Sequence, residues 1–139
     1  MDKWDGYQDA RARILKFIEQ RRVSNPVVIT GDIHSNWVGD LKLDWTSAKA
    51  PIIATEFIGT SISSAGDGAD ITERIRAYLP DNPHVHYYNG QRGYVRCAVT
   101  PDRWQSDYRV VPFVSRPGAD ISTSASFVVE DGRPGAQKA

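Results

Sequence analysis

The sequence is poor in cysteine, has no excess of either charge and contains no long apolar run. Cys97 is the single cysteine among 139 residues, which excludes an internal disulfide and a zinc site built only from cysteines. Lysine plus arginine equals aspartate plus glutamate at 17 each, so no net field favours nucleic acid or an anionic lipid surface. No run could span a membrane, and the N-terminus lacks the apolar stretch of a secretory signal. We therefore expect one globular domain or a piece of a larger one, without a nucleic-acid surface or a membrane segment.

The first half of the chain alternates predicted helix and strand, which indicates the α/β class. Apolar residues recur every three or four positions over residues 7–22 and predict an amphipathic helix. These positions are Tyr7, Ala10, Ile14, Phe17 and Ile18. Short apolar runs at 27–30 and 51–58 predict two buried strands. We expect residues 37–50 to be irregular or partly helical, and residues 59–68 to form a loop.

The second half is predicted to contain one short helix followed by strands. Asp70 and Glu73 have the spacing of a capping box, ahead of a helix that Pro80 ends. Alternating and β-branched residues then predict an antiparallel meander, with strands at 84–89, 93–100, 104–114 and 122–129. We expect Cys97 to be a buried, inert strand residue. The glycine- and proline-rich residues 131–139 predict a disordered tail, which leaves a domain over residues 1–130.

The two apolar strands of the first half raise the question of what covers them. Strands that are buried on both faces normally lie in a sheet with helices on each side. The predicted helices can cover only one face of such a sheet. We therefore expect this chain to be part of a larger domain.

Side chains with metal-binding chemistry follow the first predicted strand. Gly31 permits a tight turn, and Asp32 and His34 lie two residues apart. If the backbone stays extended there, both side chains lie on one face, where a carboxylate and an imidazole could serve two adjacent metal ions. The alternative is a turn or capping aspartate beside a surface histidine, because two ligands do not make a metal site.

Two further segments have weaker metal-binding patterns. His84 and His86 lie two apart on a predicted strand and form a second candidate pair, or a half-exposed strand end. Residues 66–70 contain the glycines and aspartates of a calcium loop, but lack the EF-hand spacing and its final glutamate. Asp70 is explained by the predicted helix cap.

Phosphate binding is a possible role for one loop and two arginines. Residues 59–64 offer hydroxyl and backbone donors but no P-loop lysine, so a plain loop is the alternative. Arg92 and Arg96 could each bind a phosphate with two parallel hydrogen bonds. The alternative is that they keep an exposed strand solvated.

Five motifs spread along the chain share the pattern of one family. They are Asp5-Gly6-Tyr7 before an arginine-rich helix, Asn-Pro-Val-Val-x-Thr-Gly-Asp-x-His-Ser-x-Trp at 25–37, Ala-Thr-Glu-Phe at 54–57 with Gly-Thr-Ser-Ile-Ser-Ser at 59–64, Gln-Arg-Gly-Tyr-Val-Arg at 91–96, and Thr-Pro-Asp-Arg-Trp at 100–104. In these motifs the chain resembles the PhoD-type alkaline phosphatase/phosphodiesterase family. The similarity covers nearly all of this chain but only the C-terminal third or so of a family member. The family's other metal-binding motifs lie upstream of that part.

The resemblance implies a fold, a reaction and a set of metals. The fold would be the C-terminal part of a calcineurin-like metallophosphoesterase β-sandwich flanked by helices. The reaction would be hydrolysis of phosphate mono- and diesters at iron and calcium ions. By the same resemblance Asp32 would bind calcium, a hard cation, and His34 would bind iron. Weaker substrate-binding or supporting roles would fall to Ser35, Asn36, Glu56, Thr60, Ser61 and Arg92.

The resemblance also implies that the isolated chain is an incomplete enzyme. It would need the N-terminal part of the domain for its remaining metal ligands, and relatives are typically exported from the cytoplasm. The alternative function is a non-catalytic binding or structural module derived from the same fold. An unrelated small α/β hydrolase is disfavoured, because the chain has no Gly-x-Ser-x-Gly motif and its lone cysteine is predicted to be buried.

Overall fold

Two four-stranded β-sheets and one long helix dominate the structure. The computed structural model describes residues 4–47 and 49–139. In chain order, the elements are a 3-10 turn at Trp4–Gly6, helix α1 at Gln8–Gln20, strands β1 at Val27–Thr30, β2 at Asn36–Leu41 and β3 at Ala54–Ile58, helix α2 at Glu73–Tyr78, a 3-10 turn at Leu79–Asp81, and strands β4 at Val85–Asn89, β5 at Arg92–Val99, β6 at Arg103–Val111, β7 at Ser122–Glu130 and β8 at Arg133–Lys138. None of the helices in the described part of the chain is long and apolar enough to cross a membrane.

The first sheet brings several strand ends to the same place. Its order is β1-β3-β2-β4, with β1 parallel to β3 and β2 antiparallel to both of its neighbours. Thr30 lies opposite Ile58, and Asn36 lies opposite Asn89. Strands β1, β3 and β4 therefore end, and β2 begins, at one end of this sheet. We call it the loop end.

The second sheet packs face to face against the first. Its order is β5-β6-β7-β8, and it is antiparallel throughout. Val38 and Phe57 of the first sheet are buried in one cluster with Tyr108 and Phe127 of the second. The expected β-sandwich is confirmed by this shared core.

Helix α1 covers the outer face of the first sheet, but with a different side from the one predicted. Leu15 is buried in a cluster with Leu41, Ile53 and Ala54, and Ile18 packs against that cluster. Three residues of the predicted apolar face are largely exposed: Tyr7 at 58%, Ile14 at 43% and Phe17 at 56%. The periodicity located the helix correctly, whereas the side that contacts the sheet depends on where the sheet lies.

Two segments predicted to lack strands are strands. Residues 37–50, predicted to be irregular or partly helical, begin with most of β2, which lies between β3 and β4. Gly39 and Asp40 have low strand propensity, and pairing on both sides outweighs it. Residues 131–139, predicted to be disordered, contain β8, which pairs with β7 and buries Gly135. Both predictions were wrong because pairing with neighbouring strands satisfies these backbones, with β3 and β4 for β2 and with the adjacent β7 for β8.

Two predicted strands have different neighbours from those expected. Strand β1 is an edge strand, and Ile29 is 64% exposed, so the prediction of a buried strand is wrong for its second half. Strand β4 was assigned to the C-terminal meander but pairs with β2 in the first sheet. The meander itself, β5 to β7, is confirmed.

Two single-residue predictions were also wrong. Thr72, and not Asp70, caps α2, because its side chain accepts a hydrogen bond from the Ile75 amide at 3.4 Å. Cys97 lies in a strand as predicted but is exposed, since β5 is an edge strand of the second sheet.

Candidate functional site

Three connecting segments meet at the loop end of the first sheet. Residues 31–35 join β1 to β2, residues 59–72 join β3 to α2, and residues 90–91 join β4 to β5. The Gly59 amide donates to the Thr30 carbonyl at 3.0 Å, so the first two segments start side by side. This topology brings together candidate residues that are far apart in sequence.

The backbone around Asp32 and His34 is strained rather than extended. Asp32 has φ 69° and His34 has φ 58°, both in the left-handed region that non-glycine residues rarely adopt. The Ile33 amide donates to the Gly31 carbonyl at 2.8 Å, which closes a three-residue γ-turn around Asp32. A positive φ marks the rare, strained form of this turn. The backbone is therefore not extended here, so the condition under which both side chains would lie on one strand face is not met. Strain of this kind is typical of functional sites.

The chemistry of Asp32 and His34 fits part of a metal site. Both residues are exposed at the loop end and present one carboxylate and one imidazole. Within residues 4–47 and 49–139, no three or more His, Cys, Asp or Glu side chains are grouped so that they could hold a metal ion. These two residues suit calcium and iron in donor type but are too few for a dinuclear centre.

Arg92 lies behind these residues, buried between two loops. It is 5% exposed, and its Nε donates to the Gly66 carbonyl at 2.8 Å. Its Nη1 donates to the His34 carbonyl at 2.5 Å and reaches the hydroxyls of Thr60 at 3.2 Å and Ser61 at 3.3 Å. The predicted phosphate contact would need a guanidinium that faces solvent, and in this structure the guanidinium faces the protein's own loops.

A buried amide pair fixes the strand ends at the same place. Asn36 is 1% exposed, and its Oδ1 accepts a hydrogen bond from the Thr60 amide at 3.1 Å. Its Nδ2 donates to Oδ1 of Asn89 at 3.4 Å, and Asn89 in turn donates to Asp70 at 2.7 Å and to Gln91 at 2.9 Å. Sequence reasoning did not predict that Asn89 contacts Asp70 and Gln91 here. Nothing local in the sequence indicated these contacts.

Ser35 and Glu56 lie beside the loop end. Ser35 is buried, and its hydroxyl accepts a hydrogen bond from Trp37 Nε1 at 2.8 Å. Glu56 accepts a hydrogen bond from the Thr30 hydroxyl at 3.2 Å, at the last residue of β1. Both contacts fix the ends of the strands that carry the 31–35 loop.

Comparison with known proteins gives this geometry a context. The sequence profile of the PhoD-like phosphatase family matches residues 1–108. The chain belongs to the PhoD-like phosphatase family. It is 48% identical over 138 residues to alkaline phosphatase D of Bacillus subtilis (strain 168), which covers 99% of this chain and 24% of that protein. A solved structure described as "Structure of PhoD" matches with a TM-score of 0.93 and 47% identity, over 99% of this chain and 26% of that one.

The PhoD-like chain thus spans about a quarter of the length of the relatives it matches. The predicted family is confirmed, and so is the fold class. The share of a family member is smaller than the third expected from the motifs.

The second candidate metal pair of this PhoD-like chain lies away from the loop end. His86, on β4, binds Oδ2 of Asp40 through Nε2 at 2.8 Å, and this hydrogen bond raises the pKa of His86 although burial opposes the shift. The His84 ring packs edge-on to Trp45 with centroids 5.0 Å apart, and burial lowers the pKa of His84. Each imidazole therefore has a structural contact of its own.

Two other candidates have structural roles in the PhoD-like fold. Arg96 binds Asp107 of β6 at 2.6 Å within the second sheet. In the 66–70 segment, Asp67 accepts hydrogen bonds from the amides of Val114 and Ser115 at 2.7 and 2.8 Å, and these bonds lower its pKa. The carboxylate of Asp67 connects the 59–72 loop to the segment after β6.

Proposed function

We propose that this chain is the C-terminal part of a metal-dependent phosphatase that hydrolyses phosphate mono- and diesters, and that it contributes Asp32 and His34 to the metal centre. The observation that carries the proposal is the strained loop with both side chains exposed, in a chain 48% identical to an alkaline phosphatase D. A strained backbone persists only where the surrounding structure enforces it, and residues of this kind cluster at active and ligand-binding sites.

The roles of the two residues follow from their donor atoms. The carboxylate of Asp32 suits calcium, and the imidazole of His34 suits iron. Bound cations would polarise the phosphoryl oxygens of an ester and lower the pKa of water. The hydroxyls of Thr60 and Ser61 lie beside this loop through their contacts with Arg92.

The remaining metal ligands would come from the part of the longer relatives that this chain does not match. Support comes from two exposed edge strands, β1 and β5. Ile29 on β1 is 64% exposed and Val99 on β5 is 61% exposed. Edge strands with such apolar side chains are suited to further pairing or coverage. We infer that the rest of the PhoD-like domain packs against these strands and completes the site.

A chimera tests this function. The chain replaces the matching quarter of alkaline phosphatase D, and hydrolysis of p-nitrophenyl phosphate is measured with calcium and iron. We expect chelator-sensitive turnover from the chimera and at most trace turnover from the 139-residue chain alone. Asp32→Ala and His34→Ala should each lower turnover by more than about a hundredfold. Loss of a residue that only supports a metal ligand costs up to about a hundredfold, and loss of a ligand should cost more.

Matched substitutions away from the loop end serve as controls. Asp120→Ala removes an exposed carboxylate and His84→Ala removes the imidazole beside Trp45, and both should leave metal content unchanged. Near-normal metal content and rate in the Asp32 or His34 variant would refute the role of that residue. A folded chimera that binds neither metal would favour a non-catalytic module instead.

A further inference from the structure

We propose that Arg92 is a positioning residue that holds the 31–35 loop, and with it Asp32 and His34, in the conformation that metal binding requires. The inference rests on the proposed function for its purpose, and on the hydrogen bonds of Arg92 for its physical basis. Arg92 itself touches neither metal nor substrate in this role.

The first argument is the set of atoms that Arg92 joins. From the first residue of β5, its guanidinium reaches the carbonyl of His34 in one loop and the carbonyl of Gly66 in another. These residues are 58 and 26 positions away in sequence. A charged donor makes shorter and stronger hydrogen bonds than a neutral one, and low exposure keeps water from replacing them. Arg92 therefore connects the loop of the candidate ligands to the body of the domain.

The second argument is the strain in the 31–35 loop. Left-handed backbone at Asp32 and His34 is unfavourable for residues with a Cβ atom, so it persists only when the surroundings enforce it. Nη1 of Arg92 donates a hydrogen bond to the carbonyl of His34 itself, at 2.5 Å. Without that bond the carbonyl loses a donor that fixes the peptide orientation, and the loop can relax.

The third argument is the close packing around the guanidinium. A Cβ added to Gly68 would lie 3.0 Å from Nη2 of Arg92, so the guanidinium lies close against the 59–72 loop. The Gly93 amide also donates to the Ser61 carbonyl at 3.2 Å, which fastens the start of β5 to the same loop. Lysine cannot replace Arg92 here, because a single ammonium group lacks the planar fork that reaches both loops.

Backbone dynamics of the 139-residue chain test the proposal without metal or substrate. In the parent chain, the NMR order parameters of Asp32, Ile33 and His34 should be close to the rigid value of about 0.85. In Arg92→Gln they should fall below about 0.6, the range of flexible backbone. Arg92→Lys keeps the charge and serves as a second variant if Arg92→Gln does not fold, and it should loosen the same three residues.

Arg96→Gln is the matched control, since Arg96 lies on the same strand and binds Asp107 instead of the loops. It should leave the order parameters of the 31–35 loop unchanged. Hydrogen exchange of the Ser106 and Tyr108 amides, in the core strand β6, should be unchanged in the Arg92 variants. A loop that stays rigid in the Arg92 variants refutes the proposal, and so does loosening of β6 to the same extent.

The chimera adds a readout that links loop order to metal binding. Arg92→Gln should weaken iron and calcium binding about tenfold to hundredfold, as expected for a residue that orients ligands without touching the metal. Unchanged affinity with a loosened loop would refute the positioning role. The Asp32→Ala and His34→Ala chimeras test the proposed function separately, so the two failures are distinguishable.

Discussion

Asp107, on the inner strand β6, shows how a buried carboxylate is stabilised by neighbours on three strands. It accepts hydrogen bonds from Gln105 at 2.9 Å, from Arg96 at 2.6 Å and from Ser126 at 2.7 Å. These bonds, the one from Gln105 first, lower the pKa of Asp107 to about 2. Single polar residues of this kind connect β5, β6 and β7 through side chains as well as through the backbone.

The hydrogen bonds of Asp107 should make the free energy of unfolding depend on pH in the acidic range. The folded pKa lies below the ordinary value of 3.8, so the stabilisation is present at neutral pH and is lost as the pH falls from that value towards about 2. Asp107→Asn should lower the free energy of unfolding by about 2 kcal/mol at pH 7, because hydrogen bonds to a charged group are lost. Urea titrations at pH 7 and pH 2.5 would measure this, and the difference between variant and parent should shrink at the lower pH.

Asp120→Asn is the control, because it removes the same charge from an exposed position. It should change stability by less than about 0.5 kcal/mol at either pH. A cost of Asp107→Asn that is the same at both pH values would contradict the account of its lowered pKa.

At the scale of elements, the loop end depends on close contact between the 59–72 loop and the turn at 90–91. Gly68 has φ +75°, and a Cβ there would lie 2.1 Å from the Gly90 carbonyl oxygen. Gly66 has nearly the same backbone, φ +73°, but a Cβ there would meet no atom within 4 Å. The two glycines separate the effect of backbone conformation from the effect of packing.

Gly68→Ala should therefore be far more disruptive than Gly66→Ala. Both substitutions place a Cβ on left-handed backbone, at a cost of about 1–2 kcal/mol. Gly68→Ala adds an overlap with backbone atoms, so its loss of unfolding free energy should exceed that of Gly66→Ala by at least about 2 kcal/mol. Chemical denaturation of the two variants measures the difference. Equal losses would show that the loop moves away from the turn without cost.

At the scale of the whole molecule, a buried tyrosine hydroxyl links the two sheets. Tyr108 of β6 is fully buried and donates to the Trp37 carbonyl of β2 at 2.6 Å. Burial raises the pKa of Tyr108 well above its usual value, so the hydroxyl stays a donor at any working pH. The sandwich thus has a specific polar contact inside its aromatic core.

Tyr108→Phe should weaken the packing of the sheets without changing their core shape. Removing the buried hydroxyl leaves the Trp37 carbonyl without this donor, which should cost about 1–3 kcal/mol. Tyr94→Phe is the control, since Tyr94 is 43% exposed on β5, and it should have almost no effect. Thermal unfolding of both variants would measure the difference, and equal melting temperatures would contradict a stabilising role for the inter-sheet contact.

Local patterns were sufficient for much of the fold. The 3.6-residue period located α1, and runs of β-branched and aromatic residues located β1, β3 and the three strands of the meander. These patterns extend over only a few residues, so they can be recognised without knowing how the rest of the chain folds. They were insufficient for β2 and β8, whose glycine, aspartate and proline residues disfavour strands until partners pair with them.

For the candidate site too, some features could be predicted from the sequence and others could not. Residue types and motif spacing singled out Asp32 and His34 and indicated the PhoD family, because donor chemistry and motif order are properties of the chain itself. The burial of Arg92 and the amide pair of Asn36 and Asn89 were decided only by the tertiary structure. Each depends on atoms that are brought together from distant positions, and neither local propensity nor side-chain chemistry contains that information.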